Sequence, residues 1–410
     1  MKYIPGIIFI LISLFLMNTE ALAAASVSWW QFQSIDTMKY SRDPSREKLH
    51  DPDFVDVIRA QVKNIAATGA THVAIATPYD EEFLPILKQW VQAARDNKLK
   101  VWFRGNWSGW ERWFGYDPID RKQHLAQTEA FILKHPEVFA DGDVFTACPE
   151  CENGGPGDPR RTGDVTGHRQ FLIQEYRMTK AAFVKIDRQV QSNFFSMNGD
   201  IARLVMDRET TTALDGLVVI DHYVASQDKL VQDIKDIAQK SGGQVVLGEF
   251  GAPIPDIHGR MSEAEQATWI KSALTKLVEV KELAGINYWV NVGGSTQIWN
   301  ESGVARAAVA EMTAFYTPKT ISGYVVGKIN NPIAYAKIET NIRETLTNKD
   351  GYFALPYLDP NMTLKVSAIG YAKKELNNPP IGQNLKIIID RNSRNWFIDF
   401  MDFIRAIFKI

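Results

Sequence analysis

The chain has 410 residues, of which 46 are basic and 48 acidic. So even a charge excludes a nucleic-acid binder of the usual basic kind, and the length suits one domain of about 250–300 residues with a small companion. Two cysteines, Cys148 and Cys151, cannot build a disulfide framework or a four-ligand zinc site, and neither a metal nor a cofactor is expected.

Residues 1–25 read as a secretory signal peptide. Lys2 supplies a positive start. Ile4 to Met17 is apolar except for Pro5, Gly6 and Ser13, and Ala21-Leu22-Ala23 offers small residues for cleavage. The apolar stretch is short for a membrane-spanning helix. A secreted or cell-envelope location, periplasmic or extracellular, is therefore expected.

Strand-like and helix-like stretches then alternate. Ser28 to Phe32 reads as a first strand, followed by Phe54, Val57, Ile58, Val62 and Ile65 at helical spacing. Thr71–Ala76 and Lys100–Arg104 are the next strands, separated by a helix over Phe83 to Val91. Leu125 to Leu133 is helical, Asp143–Cys148 is a fourth strand, and a long helix covers about Gly167 to Val190. Asn193–Asn198, Gly216–Asp221, Gln244–Gly248 and Gly285–Trp289 complete eight strands, and Val304 to Phe315 closes the series. Short apolar strands alternating with helices predict an α/β fold, a (β/α)8 TIM barrel over residues 26–316.

Residues 317–320 read as a linker. Residues 321–390 look all-β, with Asp350-Gly351 as a turn between strands. The opening Ile321-Ser322-Gly323-Tyr324-Val325, the Asp350-Gly351-Tyr352-Phe353 turn and the Gly370-Tyr371 pair resemble carboxypeptidase regulatory-like (transthyretin-like) β-sandwich domains. Residues 391–410 form an amphipathic tail with Trp396, Phe397, Phe400, Phe403, Ile404 and Ile407 on one face. It is either a helix packed on the protein or a contact to a membrane surface or the cell envelope.

Barrel enzymes gather their chemistry where the strands end. The strand ends offer Trp29, Trp30 and Asp36; Tyr79 and Asp80; Arg104, Asn106 and Trp107; Glu150, Glu152 and Asn153; Asn198; His222 and Tyr223; Glu249; and Trp289 and Asn291. Polar and aromatic groups in one ring suit a sugar, whose hydroxyls want charged and amide partners and whose apolar face wants an aromatic plate. Trp107, Trp110 and Trp113 crowd one loop and could form such a wall. Two carboxylates at separate strand ends are what glycoside hydrolysis needs. There is no His-Glu-x-x-His motif, nucleophile elbow or phosphate-binding loop.

This ring resembles clan A glycoside hydrolases, and most of all the cellulase-like family 5. Glu249 in Gly248-Glu249-Phe250-Gly251 matches the nucleophile context, Glu150 stands at the acid/base position, and His222-Tyr223 and Trp289 fall on the expected strands. The resemblance implies a secreted retaining glycosidase acting on a β-linked polysaccharide or oligosaccharide, with Glu249 attacking and Glu150 moving the proton. Glu152 is a rival for the second role. Where the family carries Asn before the acid/base, this chain has Pro149, so Asn106, Asn153 or Asn198 would have to make that sugar contact. Arg104 could supply a charge the family usually takes from strand two, and Arg104 and Tyr223 would favour ionised Glu249. The alternative is a non-catalytic carbohydrate-binding or cell-surface scaffold protein on a silent barrel. Cys148 and Cys151 are read equally as bridged or free; a bridge would pin the loop carrying Glu150.

Overall fold

A computed structural model of the protein describes residues 27–392. The expected signal segment and the tail helix from Trp396 lie outside the described residues. Eight parallel strands, β1 (Phe32–Asp36), β2 (His72–Ile75), β3 (Lys100–Phe103), β4 (Val144–Phe145), β5 (Ser196–Asn198), β6 (Leu217–Asp221), β7 (Gln244–Phe250) and β8 (Leu283–Tyr288), lie in the order β4-β3-β2-β1-β8-β7-β6-β5. Because β1 pairs with both β2 and β8, the sheet curls. An isolated parallel bridge, Val144 to Gln191, joins its two edges. There the Phe145 N–H donates to the Gln191 carbonyl (2.8 Å) and the Glu150 N–H to the Ser196 carbonyl (2.8 Å). The result is the expected (β/α)8 barrel, followed by a small β-sandwich.

Helices cover the outside. Phe54–Ala67, Leu84–Asp96 and Gln227–Ser241 each bury one stripe, and Val165–Lys185 buries His168, Phe171, Leu172, Glu175, Tyr176, Thr179, Ala182 and Phe183 at three- and four-residue intervals. Each fully buried Leu, Ile or Phe contributes roughly 1.5–3 kcal/mol. Asp120 and Ser262 start the helices Arg121–Lys134 and Glu263–Leu277 with capping boxes to Gln123 and Glu265.

Side chains alternate along a strand, so residues two apart share a face. Inside the barrel, Phe32, Ala74, Trp102, Val144, Phe194, Val219 and Val246 form an apolar floor. One pleat further toward the strand ends the same faces carry Ser34, Arg104, Asp221 and Gly248, and β1 then ends in Asp36. The sequence thus changes from an apolar floor to a charged layer at the mouth where strands end.

The first strand differs from expectation. It begins at Phe32, and Trp29 and Trp30 lie before it, at the opposite end of the barrel. Their apolar character suggested a strand, whereas the real strand is largely polar. Gln33, Ser34 and Asp36 are fully buried, and the barrel interior supplies partners to Asp36 and to the Gln33 amide nitrogen. For example, Gln33 Nε2 donates to the Tyr316 carbonyl (3.0 Å).

Beyond the helix Ala307–Tyr316, β9 (Thr320–Val326), β10 (Lys337–Glu339), β11 (Glu344–Leu346), β12 (Tyr352–Pro356), β13 (Thr363–Ser367), β14 (Lys374–Asn377) and β15 (Leu385–Ile388) form two sheets, β11-β10-β13-β14 and β12-β9-β15. Ile321, Val325, Ile338, Phe353, Leu355, Leu364 and Ile387 fill the space between them. Gly351 turns the chain at φ +75°, where a side chain would also meet the Val325 carbonyl. The sandwich packs on the barrel where strands begin. Arg343 Nη2 donates to the Trp29 carbonyl (3.1 Å), and its guanidinium lies 5.4 Å above the Trp29 ring.

Candidate active site

Arg104, just past β3, organises the mouth of the barrel. It is 1 % exposed. Nη1 donates to Asp36 Oδ2 (3.0 Å) and to the Gly248 carbonyl (2.5 Å); Nη2 donates to Asp221 Oδ2 (3.1 Å), Glu249 Oε1 (3.0 Å) and Ser196 Oγ (3.3 Å). Asn287 Nδ2 ties the same atoms from β8, donating to Asp36 Oδ2 (3.0 Å) and the Gly248 carbonyl (2.8 Å). Four strands, β1, β5, β6 and β7, therefore meet at one guanidinium, and β8 ties two of the same acceptors. Burial alone would make Arg104 easier to deprotonate. Asp221, Glu249, Asp36 and Glu150 outweigh it and hold the group well above its ordinary value.

One cation bonded to three carboxylates leaves an excess of negative charge. Burial raises Asp221 well above the usual carboxylate range; Arg104 opposes this, while Glu249 and Glu150 add to it. Its Oδ1 is buried with no hydrogen-bond partner among the described residues. Gly248 explains how Asp221 fits: a Cβ at 248 would collide with that oxygen. This is the physical reason for glycine in Gly248-Glu249.

Glu249 sits on β7 with its side chain 11 % exposed. Arg104 holds Oε1, and the Tyr223 hydroxyl donates to Oε2 (2.8 Å). Burial pushes Glu249 up to about 7; Arg104 draws it down, Glu150 and Asp36 push it up, and the Tyr223 hydrogen bond draws it down. A carboxylate has roughly four acceptor positions, so two bonds orient the group and leave capacity facing the mouth. Tyr223 in turn packs edge-on against Trp289, ring centres 6.1 Å apart, and Trp289 is half-buried.

Glu150 stands in the short ring closed by a Cys148–Cys151 disulfide. Its backbone is left-handed, φ 44°, a conformation uncommon for a residue with a Cβ. Asn153 Nδ2 donates to Glu150 Oε2 (2.9 Å). The charge of Glu150 acts on Arg104, Asp221 and Glu249. Glu152 is engaged elsewhere. Its Oε1 accepts from the Asn198 N–H (2.9 Å), and its Oε2 is buried without a partner among the described residues. Burial pushes it up to about 7.

The mouth thus assembles Asp36, Arg104, Tyr223, Glu249 and Trp289, with Glu150 on the adjoining ring and Asn153 just beyond it. Other expected residues lie elsewhere. Trp30 is at the opposite end of the barrel. Trp107 is buried, its Nε1 donating to Thr128 Oγ1 (2.9 Å) and its ring packed on Tyr79 and Phe131. Trp110 stacks on Phe171 and donates to the Cys151 carbonyl (3.1 Å). Loop packing therefore claims both, and of the expected wall only Trp113 is half-exposed, beneath Arg42. His222 turns to Asp233 (2.8 Å), which also pairs with Arg203 and Lys229. Asn198 is an exposed helix cap, its Oδ1 accepting from the Asp200 N–H (3.0 Å). Asn106 is fully buried and donates to Glu111 Oε1 (2.9 Å). Tyr79 donates to the Thr146 carbonyl and Asp80 accepts from Ser108, so both serve loop structure.

Asp221, Ser196, Asn287 and Glu111 belong to this neighbourhood and were not singled out from the sequence. Asp221 had a readable signal: it ends Leu217-Val218-Val219-Ile220, the same pattern of apolar run and terminal acid that marks Glu249. Glu111, in a loop helix, had none.

Residues 320–389 match the family model described as the Carboxypeptidase regulatory-like domain. No curated protein is matched by the chain. Among solved structures, it is similar to the GH5_18 protein from Streptomyces cattleya in complex with Manb1-4GlcNAc, at 14 % identity over 72 % of this chain and 84 % of that one, TM-score 0.53. The same protein in complex with GlcNAc gives 15 % identity, 74 % and 85 % coverage and TM-score 0.52. Bacteroides uniformis beta-glucuronidase 2 gives 10 % identity over 88 % of this chain, TM-score 0.49, and the chain spans only 46 % of its length. At such identities the likeness is one of fold. The chain joins a (β/α)8 barrel of the kind found in these glycoside hydrolases to a segment that matches the carboxypeptidase regulatory-like domain.

Proposed function

We propose that the protein is a secreted retaining glycoside hydrolase that cleaves β-linked polysaccharide by double displacement, with Glu249 as nucleophile and Glu150 as acid/base. The observation that carries this reading is the setting of Glu249. A strand-end carboxylate, both oxygens oriented by Arg104 and Tyr223, opens on a barrel mouth beside a second acidic residue. Ionised Glu249 attacks the anomeric carbon while Glu150 protonates the departing oxygen. Water then enters with Glu150 as base, releasing the sugar with its configuration retained. This mechanism requires the two carboxyl groups about 5–5.5 Å apart. Glu150 is favoured over Glu152 because its charge acts on Glu249, whereas Glu152 is hydrogen-bonded to the Asn198 backbone. Residues 1–25 support export.

The test measures new reducing ends from β-glucan, mannan, xylan and bacterial exopolysaccharides. The Manb1-4GlcNAc held by the Streptomyces cattleya protein makes β-mannosyl glycans an early choice. Wild type should release sugar from at least one polymer, and Glu249→Gln should fold normally and release none. Full activity in Glu249→Gln overturns the assignment. A wild type that binds these glycans without cleaving any returns the chain to the scaffold reading.

A further inference from the structure

His124 and Glu175 form a fully buried pair, His124 Nδ1 3.1 Å from Glu175 Oε1, on the helices Arg121–Lys134 and Val165–Lys185. The double displacement makes no use of them. Removing two ionisable groups from water is costly unless their geometry serves something. His124 Nε2 lies 3.1 Å from Asn106 Oδ1, which also accepts from the Trp107 N–H (2.8 Å). A backbone N–H can only donate, so the oxygen of the Asn106 amide faces this side and the NH2 faces Glu111. His124 Nε2 is then the donor to Asn106 Oδ1, and Nδ1 faces Glu175 Oε1. The chain Glu175–His124–Asn106 fixes the amide and ends on Glu111 Oε1 at 2.9 Å.

We propose that Glu111 contacts the sugar beside Glu150, donating a hydrogen bond to a substrate hydroxyl, and that His124 and Glu175 are positioning residues acting on it through Asn106. The substrate in this proposal rests on the glycosidase reading. Glu111 ends the short helix Ser108–Glu111, which Arg112 stops at φ 62°, and it stands against the disulfide ring that carries Glu150: Asn106 Nδ2, which holds it, lies 3.9 Å from Cys148 Sγ, and the adjacent Trp110 donates to the Cys151 carbonyl (3.1 Å). Among the described residues, the Glu111 side chain has one hydrogen-bond partner, Asn106. Oε1 accepts that bond, so a proton on the carboxyl resides on Oε2 and is free to be donated. Burial pushes Glu111 up to about 8. Asn106 and Arg42 draw it down, and Glu150 and Glu152 push it up. It is therefore mostly in its acid form at neutral pH, a buried carboxyl kept as a donor. Asn106, expected to touch the sugar itself, instead anchors the residue that does.

Two measurements test this. Side-chain carboxyl titration by 13C NMR on protein labelled at glutamate needs no substrate. One signal near pH 8 should vanish in Glu111→Gln and move in Glu175→Gln, which keeps a hydrogen bond to His124. A Glu111 signal titrating near its ordinary value, or one unmoved by Glu175→Gln, overturns the proposal. Calorimetry of cellotetraose, mannotetraose and xylotetraose with Glu249→Gln gives the second readout. Adding Glu111→Ala should weaken binding of the preferred sugar about tenfold, and adding Glu111→Gln, which retains a donor, should restore it to within about threefold. Equal affinity in all three proteins overturns the sugar contact. If none of the tetrasaccharides binds, the sugar contact fails for these polymers whatever the outcome of the Glu249→Gln activity test, and the titration still decides the positioning chain.

Discussion

Replacing Arg104 with Met removes the cation that, among the described residues, pairs with Asp36, Asp221 and Glu249, and keeps a side chain of similar reach. Deleting one partner of a buried ion pair costs about 3–5 kcal/mol, against a typical domain stability of about 5–15 kcal/mol, so the variant should fold with a reduced margin. The loss should depend on pH. Arg104 lowers both Asp221 and Glu249, whose folded values already stand above their unfolded ones. Without it they rise further. An acid whose folded pKa is raised costs stability once pH exceeds its unfolded value, and the penalty is complete above its folded value. For Glu249 the deficit of Arg104→Met therefore opens above about pH 7, where the wild-type carboxyl ionises, and grows with pH by at most about 1.4 kcal/mol per pH unit for each proton lost, so it is larger at pH 8 than at pH 5.5. Urea unfolding of both proteins at pH 5.5 and 8 measures it. Trp102, whose ring lies 5.7 Å from the Arg104 guanidinium, contributes to the fluorescence signal. A loss equal at the two pH values, or below about 1 kcal/mol, would refute the view that one guanidinium neutralises this cluster.

Tyr223→Phe removes the O–H donated to Glu249, so kcat/KM should fall about tenfold or more. In wild type, activity should fall as pH drops below about 7, because Glu249 must be ionised. In Tyr223→Phe this acidic limb should move to higher pH, which a pH–rate profile checks. Gly248→Ala drives a methyl into Asp221 and should destabilise the barrel by roughly 1–3 kcal/mol in urea unfolding. Replacing both Cys148 and Cys151 with Ser opens a ring of four residues, so thermal unfolding should show a loss of about 2 kcal/mol. Because the ring carries Glu150, turnover should fall more than stability, as initial rates will show.

Much of the barrel is legible in the sequence because most of its strands are short apolar runs. Val245-Val246-Leu247 and Leu217 to Ile220 are buried on both faces and end in acids that the interior can receive. Strand β1 escaped for the opposite reason. Three of its five buried residues, Gln33, Ser34 and Asp36, are polar, and Asp36 is held by Arg104 from a distant part of the chain, so hydropathy points instead to Trp29 and Trp30. Side-chain direction was also hidden. His222 follows a strand end as expected, yet Asp233 on the next helix draws it away from the mouth. Trp107 and Trp110 occupy the expected loop, but their rings fill space against Phe131 and Phe171. Position along a strand follows from periodicity, whereas orientation depends on contacts between distant elements.

The clamp of Arg343 on Trp29 joins the β-sandwich to the barrel at the end away from Glu249. The two ends are thereby free to do different work. A partner bound to the sandwich would leave the mouth that holds Glu249 facing away from it. Lengthening or replacing the sandwich should then alter where the protein is held while leaving the entrance geometry untouched.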